Sequence, residues 1–204
     1  MNSINYRNQQ LQPSKVVCIG RNYAAHIEEL DNEVPDQPVI FVKPNSAISS
    51  QIRLHSSQQI DYEAEITFLV IDKQLRGVGI GLDLTKRQIQ WSLKSKGLPW
   101  ERAKAFDGSA VFSDFVDLKK VTNTLRLELE INGQLMQQGG VSLMLNKPTE
   151  LVADITSFMS FENGDILMTG TPSGIGIVVM DDVFIGKIYD GEQLLVQQQW
   201  KVQG

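Results

Sequence analysis

The sequence predicts an α+β domain, predominantly β, with a few short helices set among short strands. Asp61–Tyr62–Glu63–Ala64–Glu65–Ile66–Thr67–Phe68–Leu69–Val70 and Val78–Gly79–Ile80–Gly81–Leu82–Asp83–Leu84–Thr85 both alternate between apolar and polar or glycine positions, the period of a strand. Leu125 to Ile131 alternates as cleanly and runs into Asn132–Gly133, a two-residue hairpin signal. Helical spacing is confined to short windows. A length of 204 residues suits one domain with a sizeable core. Residues 1–204 therefore read as a single domain, with 1–14 as a polar N-terminal extension and no internal repeat or linker.

Composition excludes several classes. With 42% hydrophobic and 21% charged residues the chain has the make-up of a globular protein, not of a disordered one. A formal net charge of -5 argues against a nucleic-acid binder, which needs clustered Lys and Arg on phosphates. No apolar run is long enough to span a bilayer, so no membrane is expected. Met1 to Lys15 lacks the charged-then-apolar layout of a signal peptide, and a cytoplasmic location is the simple expectation. Cys18 is the single cysteine, which rules out an internal disulfide or a cysteine metal cluster and suits a small core residue.

In chain order, Val16–Gly20 is a short apolar strand, and Asn22 is placed to cap the short helix that follows. His26 and Glu29 are three apart and share a helix face, so a carboxylate can hold one imidazole nitrogen and raise the basicity of the other. The same pair also reads as an ordinary surface interaction. Pro38–Val42 looks like a buried strand, stopped at Pro44, with Lys43 either on the surface or lining a pocket. His55 lies in a polar, loop-like stretch with no evident role.

Along 61–70, Glu63, Glu65 and Thr67 share one strand face while Ala64, Ile66, Phe68 and Val70 share the buried one. Adjacent carboxylates repel unless a proton or cation sits between them. If this strand pairs with 78–85, Asp83 reaches Glu63 and Glu65, with Gly79 and Gly81 leaving room for a ligand. Three hard oxygen donors of this kind suit Mg²⁺ or Mn²⁺. A solvated strand face is the alternative. Thr85 and Gln88 fit a capping box opening a helix that carries Arg87 and Gln90 in its first turn and ends at Gly97 and Pro99. Helix N-termini attract anions, which fits a substrate carboxylate beside a metal.

Leu151, Val152, Ile155, Phe158 and Met159 mark an amphipathic helix starting near Pro148. Asn163–Gly164–Asp165 turns the chain into a strand, Ile166 to Thr169. Gly170–Thr171–Pro172–Ser173–Gly174–Ile175–Gly176 lacks the Gly-Lys-Ser/Thr ending of a phosphate loop, yet it can present Thr171 or backbone N–H groups to an anion. Val183 to Val202 is a hairpin turning at Asp190–Gly191.

Taken together, seven motifs resemble the fumarylacetoacetate hydrolase family. They are Gly20-Arg21-Asn22-Tyr23-Ala24-Ala25-His26, Phe41-Val42-Lys43-Pro44, Tyr62-Glu63-Ala64-Glu65, Leu82-Asp83-Leu84-Thr85-Lys86-Arg87, Gly97-Leu98-Pro99-Trp100, Lys104-Ala105-Phe106-Asp107 and Thr169 to Gly176. They run in family order over almost the whole chain and look most like the small acylpyruvase and oxaloacetate decarboxylase branch. The resemblance implies a mixed β-sheet roll, Mg²⁺ or Mn²⁺ as cofactor, and a homodimer. By motif position it implies Glu63, Glu65 and Asp83 as metal ligands, and His26 with Glu29 as a water-activating dyad. It implies Lys104 as the lysine that steadies an enolate, and Arg21, Arg87, Gln90 and Thr171 as substrate contacts. Three departures stand out: Gln88 replaces an acidic residue of the pattern, the loop before Glu63 is short, and so is the segment between Glu65 and Asp83.

The expected activity is metal-dependent hydrolysis or decarboxylation of a small 2-oxo acid, either acylpyruvate C–C cleavage or loss of CO₂ from oxaloacetate, through a stabilised enolate. Enol–keto isomerisation needs the same electron sink and is the alternative reaction. A non-catalytic protein that binds a metal or a 2-oxo acid is the alternative class.

Overall fold

The computed structural model describes residues 1–54 and 58–204. His55 lies outside the described residues. The strands and α-helices follow in chain order as β1 (Ile4–Tyr6), β2 (Gln9–Leu11), β3 (Lys15–Gly20), α1 (Ala24–Glu29), β4 (Val39–Pro44), β5 (Ile48–Ser49), β6 (Asp61–Tyr62), β7 (Ala64–Ile71) and β8 (Gln74–Asp83). Then come α2 (Arg87–Ser95), α3 (Glu101–Lys104), β9 (Ala110–Phe112), β10 (Val116–Asp117), β11 (Leu125–Ile131) and β12 (Gln134–Gly140). The last are α4 (Pro148–Thr156), β13 (Ile166–Met168), β14 (Gly176–Ile177), β15 (Val183–Asp190) and β16 (Gln193–Lys201). The protein is mostly β, with a curled mixed sheet and short helices.

The large sheet has the order β4-β3-β13-β7-β8-β9-β5, with β10 also on β8. Strand β13 runs parallel to β3, and β5 parallel to β9; the other pairs are antiparallel. Consecutive strands β4 and β5 form its two opposite edges, joined only by the single helical turn Asn45–Ala47. So short a connection spans only about 10 Å, which forces the sheet to curl until its edges nearly meet. The alternating pattern then defines two interiors. Val17 and Ile19 of β3, Ile66, Phe68 and Val70 of β7, and Val78, Ile80 and Leu82 of β8 pack outward, against the four-stranded sheet β12-β11-β15-β16 and α4. Val16, Cys18, Leu69, Phe112, Ile166 and Met168 point into the roll. Gly186 lets the two sheets approach, since a Cβ there would stand 2.6 Å from Ile80 Cδ1.

The acidic strand pairs with β8 as expected, Glu65 opposite Gly81 and Thr67 opposite Gly79. The short segment between Glu65 and Asp83 is a tight hairpin whose turn residues Asp72 and Lys73 both have positive φ, 51° and 59°. Asn132–Gly133, with φ 52° and 81°, turns β11 into β12 in the same way.

Other local expectations are corrected. The glycines leave no open space, because Thr67, Phe112 and Met168 crowd Gly81, and Ser113 and Phe115 crowd Gly79. Asn22 caps nothing: Tyr23 is the N-cap of α1, and the buried Asn22 amide instead bridges Asn146 O and Thr169 O. Thr85 and Gln88 form no capping box, since Lys86 is the N-cap, Thr85 is drawn to Lys104, and Gln88 is exposed. Strand β4 is an edge and only half-buried, with Lys43 the residue it hides completely. Helix α4 ends before Phe158 and Met159, and Phe158 is exposed. Residues 4–11 of the polar N-terminal stretch form the hairpin β1–β2, with Ile4 and Tyr6 buried in the inner core.

Candidate functional site

The break between β6 and β7 builds the site. Tyr62 turns into the core, edge-on to Phe184 with ring centroids 5.3 Å apart, so Asp61 and Glu63 turn the other way. Strand β8 ends beside the break, where Asp83 N–H donates to Glu63 O at 2.8 Å. Alternation along β7 then puts Glu65 next to Glu63, inside the mouth of the roll. Glu63, Glu65 and Asp83 are all buried, with carboxylate oxygens within 4.8 Å of one another.

Cations answer this charge. Lys104 Nζ donates to Glu63 Oε2 at 2.7 Å, Asp83 Oδ2 at 2.7 Å and Thr85 Oγ1 at 2.6 Å, which commits all three protons. Arg87 donates to Asp61 Oδ2 at 3.0 Å, to Gln90 Oε1 at 2.8 Å and to Glu63 Oε1. Lys43 Nζ, reaching across the roll from β4, lies 2.8 Å from Asp83 Oδ1. Its protons go instead to Lys104 O, Ser109 O and Ser109 Oγ, so Asp83 Oδ1 is buried with no hydrogen-bond donor among the described residues.

The environments separate the carboxylates. Burial alone would raise the Glu63 carboxyl, but Lys104, Arg87 and His26 outweigh it and hold it well below the usual range. Burial, then the charges of Asp83 and Glu63, push Glu65 well above its ordinary value, only partly offset by the Gly170 N–H at 2.7 Å. Burial opposes the charge on Lys104, yet Asp83 and Glu63 raise its proton affinity and keep it cationic. Gly170 delivers that N–H with φ +90°, and a Cβ there would press on Asn22 Cβ at 2.9 Å.

A hard divalent cation fits this donor set. Three buried carboxylates converge, Asp83 Oδ1 lacks a donor among the described residues, and the raised proton affinity of Glu65 marks uncompensated negative charge that a cation would offset.

Helix α1 closes one side of the pocket. His26 is 6% exposed, and its Nδ1 lies 3.0 Å from Glu29 Oε2. The other Glu29 oxygen accepts from Gly174 N–H at 2.9 Å, tying α1 to the glycine-rich loop. No hydrogen bond among the described residues engages His26 Nε2. Arg21, His26, Arg87, Gln90, Lys104 and Thr171 line one pocket with the three carboxylates. Glu29 stands behind His26. Thr171 Oγ1 donates to Ala64 O at 2.8 Å and accepts from Gln137 Nε2 at 2.8 Å, so its hydroxyl is engaged within the protein.

Sequence reasoning assigned no role to several residues that hold the site together. Gln137, 1% exposed, accepts from Ala64 N–H and fixes Thr171 and Pro172. Asp61 anchors Arg87. Lys43, which the sequence allows either on the surface or in a pocket, is buried against Asp83. A Lys-Pro at a strand end was the one local signal; nothing local marked Gln137.

The profile described as Fumarylacetoacetate (FAA) hydrolase C-terminal matches residues 15–199. The chain is 36% identical over 199 residues to "Oxaloacetate tautomerase YcgM" of Escherichia coli, covering 89% of this chain and 90% of that one. It is 34% identical over 206 residues to "Oxaloacetate tautomerase FAHD1, mitochondrial" of Homo sapiens, covering 92% and 91%. Among solved structures it is similar to fumarylpyruvate hydrolase from Pseudomonas aeruginosa in complex with Mn²⁺ and pyruvate, with TM-score 0.88 and 27% identity over 99% of this chain and 95% of that one. With the acidic triad, the motif order and the fold in agreement, the chain belongs to the fumarylacetoacetate hydrolase family.

Proposed function

We propose that the protein is a Mg²⁺- or Mn²⁺-dependent enzyme that interconverts the enol and keto forms of a small 2-oxo acid. The observation that carries this reading is the buried triad Glu63, Glu65 and Asp83 in one pocket with a histidine whose Nε2 is free among the described residues. A divalent ion held by the triad would supply Lewis-acid stabilisation of an enolate oxygen. His26 accepts the enol proton at Nε2, and a proton is returned to the adjacent carbon; Glu29 holds the tautomer and balances the transient imidazolium. Lys104 and Arg87, locked on Glu63, keep a fixed positive field beside the developing charge. The relatives named oxaloacetate tautomerase favour this reaction.

Hydrolytic C–C cleavage is the second reading. The His26–Glu29 pair favours it, because the same base can take a proton from water, and so does the likeness to a fumarylpyruvate hydrolase. Decarboxylation of oxaloacetate would use the same sink without water.

Enol-oxaloacetate decay and pyruvate release from acetylpyruvate and oxaloacetate, each with Mg²⁺ and with EDTA, test these readings. Faster enol decay that needs Mg²⁺, without pyruvate, supports the tautomerase. Mg²⁺-dependent pyruvate release supports hydrolysis or decarboxylation. Neither would leave a binding protein. His26→Ala should lose turnover and keep Mn²⁺ binding. A cytoplasmic homodimer belongs to the same proposal, and exposed Leu135, Leu143, Ile177 and Val179 are apolar surface that a second copy would cover. Sedimentation of the purified chain tests the dimer.

A further inference from the structure

Strand β13 leaves β7 where the site begins. Their ladder pairs Ile166 with Leu69, Leu167 with Phe68 and Met168 with Thr67, and stops there. Continued in register, it would set Thr169, Gly170 and Thr171 opposite Ile66, Glu65 and Ala64. The departure opens the backbone of β7 at Ala64 and Ile66, both fully buried, and buried peptide groups need partners. Side chains supply them. Thr169 Oγ1 donates to Ile66 O at 2.7 Å, Thr171 Oγ1 donates to Ala64 O at 2.8 Å, and Ala64 N–H donates to Gln137 Oε1 at 2.9 Å. With the strands parted, Gly170 turns its N–H onto Glu65 Oε2.

Gln137 reaches this point from β12, in the other sheet. Its amide gives both protons to the departing chain, to Thr171 Oγ1 and to Pro172 O, each at 2.8 Å. Because Thr171 Oγ1 accepts from Gln137, its own single proton is left for Ala64 O. Gln137 and Thr171 thus close a ring of hydrogen bonds on the peptide groups of Ala64, the residue between Glu63 and Glu65. Strand β12 also shapes the rest of the loop. A Cβ at Gly139 would stand 2.7 Å from Pro172 Cβ, and one at Gly174 would stand 2.0 Å from Met136 O. Gly174 in turn gives its N–H to Glu29.

We propose that Gln137 is a positioning residue of the site. It holds residues 170–174 off β7, and through that separation it sets Glu65 for a divalent ion and Glu29 behind His26. Gln137 does not itself line the pocket. The inference rests on the functional reading above for the ion, whereas the ring is a property of the fold alone. Partners that orient a metal ligand from behind govern affinity nearly as much as the ligand does.

Gln137→Met keeps the length of the side chain and removes its three hydrogen bonds. Calorimetric titration with Mn²⁺ should show an affinity about ten-fold lower or more. Amide exchange followed by NMR, in protein freed of metal with EDTA, should quicken at Ala64 and Gly170 and stay unchanged at Phe68. Thr171→Val breaks the same ring from its other side, so the double variant should bind Mn²⁺ little worse than either single variant. Thr171→Ser keeps the hydroxyl and should bind Mn²⁺ as the wild type does. Val196→Ala truncates the core on β16, and should lower the melting temperature while leaving Mn²⁺ affinity unchanged. Unchanged affinity in Gln137→Met, or an equal loss in Val196→Ala, would overturn the positioning role. A wild type that binds no Mn²⁺ would overturn the reading of the triad, and exchange would still decide the ring. Selective quickening at Ala64 and Gly170 upholds it, and uniform or absent change overturns it.

Discussion

Lys43 Nζ stands 2.8 Å from Asp83 Oδ1 across the inside of the roll, and both side chains are at most 1% exposed. The contact joins the edge strand β4 to the end of β8, so it holds a metal-ligand candidate in place and also secures the curl of the sheet. Removing one partner of a buried pair leaves the other charge uncompensated. Lys43→Met should therefore cost about 3–5 kcal/mol in urea unfolding. The double variant Lys43→Met/Asp83→Asn should recover part of that loss. No recovery would show that Lys43 contributes through its bonds to Ser109 and Lys104 O instead.

Glu65 gives metal affinity a sign with pH. Its raised proton affinity means that it holds a proton where an ordinary carboxylate has lost one, and a cation must displace that proton. Mn²⁺ affinity should rise with pH, by up to about ten-fold per unit, until Glu65 ionises in the free protein. Titrations in buffers of different ionisation enthalpy should count about one proton released. Glu65→Gln should bind Mn²⁺ weakly at every pH, and an unchanged slope in that variant would place the proton elsewhere.

Glu29 acts through His26. Glu29→Gln keeps an acceptor for Gly174 N–H but loses the charge that balances an imidazolium. Turnover should drop by about 10–10²-fold, less than the 10²–10⁴-fold expected for His26→Ala. Thermal stability and Mn²⁺ affinity should hardly change. A large loss of stability would assign Glu29 to the fold rather than to the reaction.

Asp165 ties the start of β3 to the start of β13, accepting from Ser14 N–H at 2.9 Å, Ser14 Oγ at 2.7 Å, Glu162 N–H at 2.9 Å and Lys15. Burial would raise its carboxyl, but the bonds from Lys15, Glu162 N–H and Ser14 hold it below the usual range. A depressed folded value stabilises the fold above the unfolded value, about 3.9, and that contribution is lost as pH falls through the folded value. Asp165→Asn should cost about 2–3 kcal/mol near neutrality, and the difference from wild type should shrink below about pH 4.

Information local to the chain determined much of this protein. A period of two set Glu63, Glu65 and Asp83 on one face, and a spacing of three joined His26 to Glu29, because both follow from backbone geometry alone. The hairpin at Asn132–Gly133 and the mostly β fold were legible for the same reason. Tertiary structure decided what long side chains do. Thr85 leaves its capping position for Lys104, Asn22 spends its amide on two distant carbonyls, and Gln137 reaches from another sheet to Ala64. The partners of these groups lie far away in sequence, and each pairing exists because a buried polar group must find a partner. Lys43 is the plainest case. At the end of an edge strand it has the sequence of a surface lysine, and only the curl of the sheet places it opposite Asp83, where a buried carboxylate requires a cation.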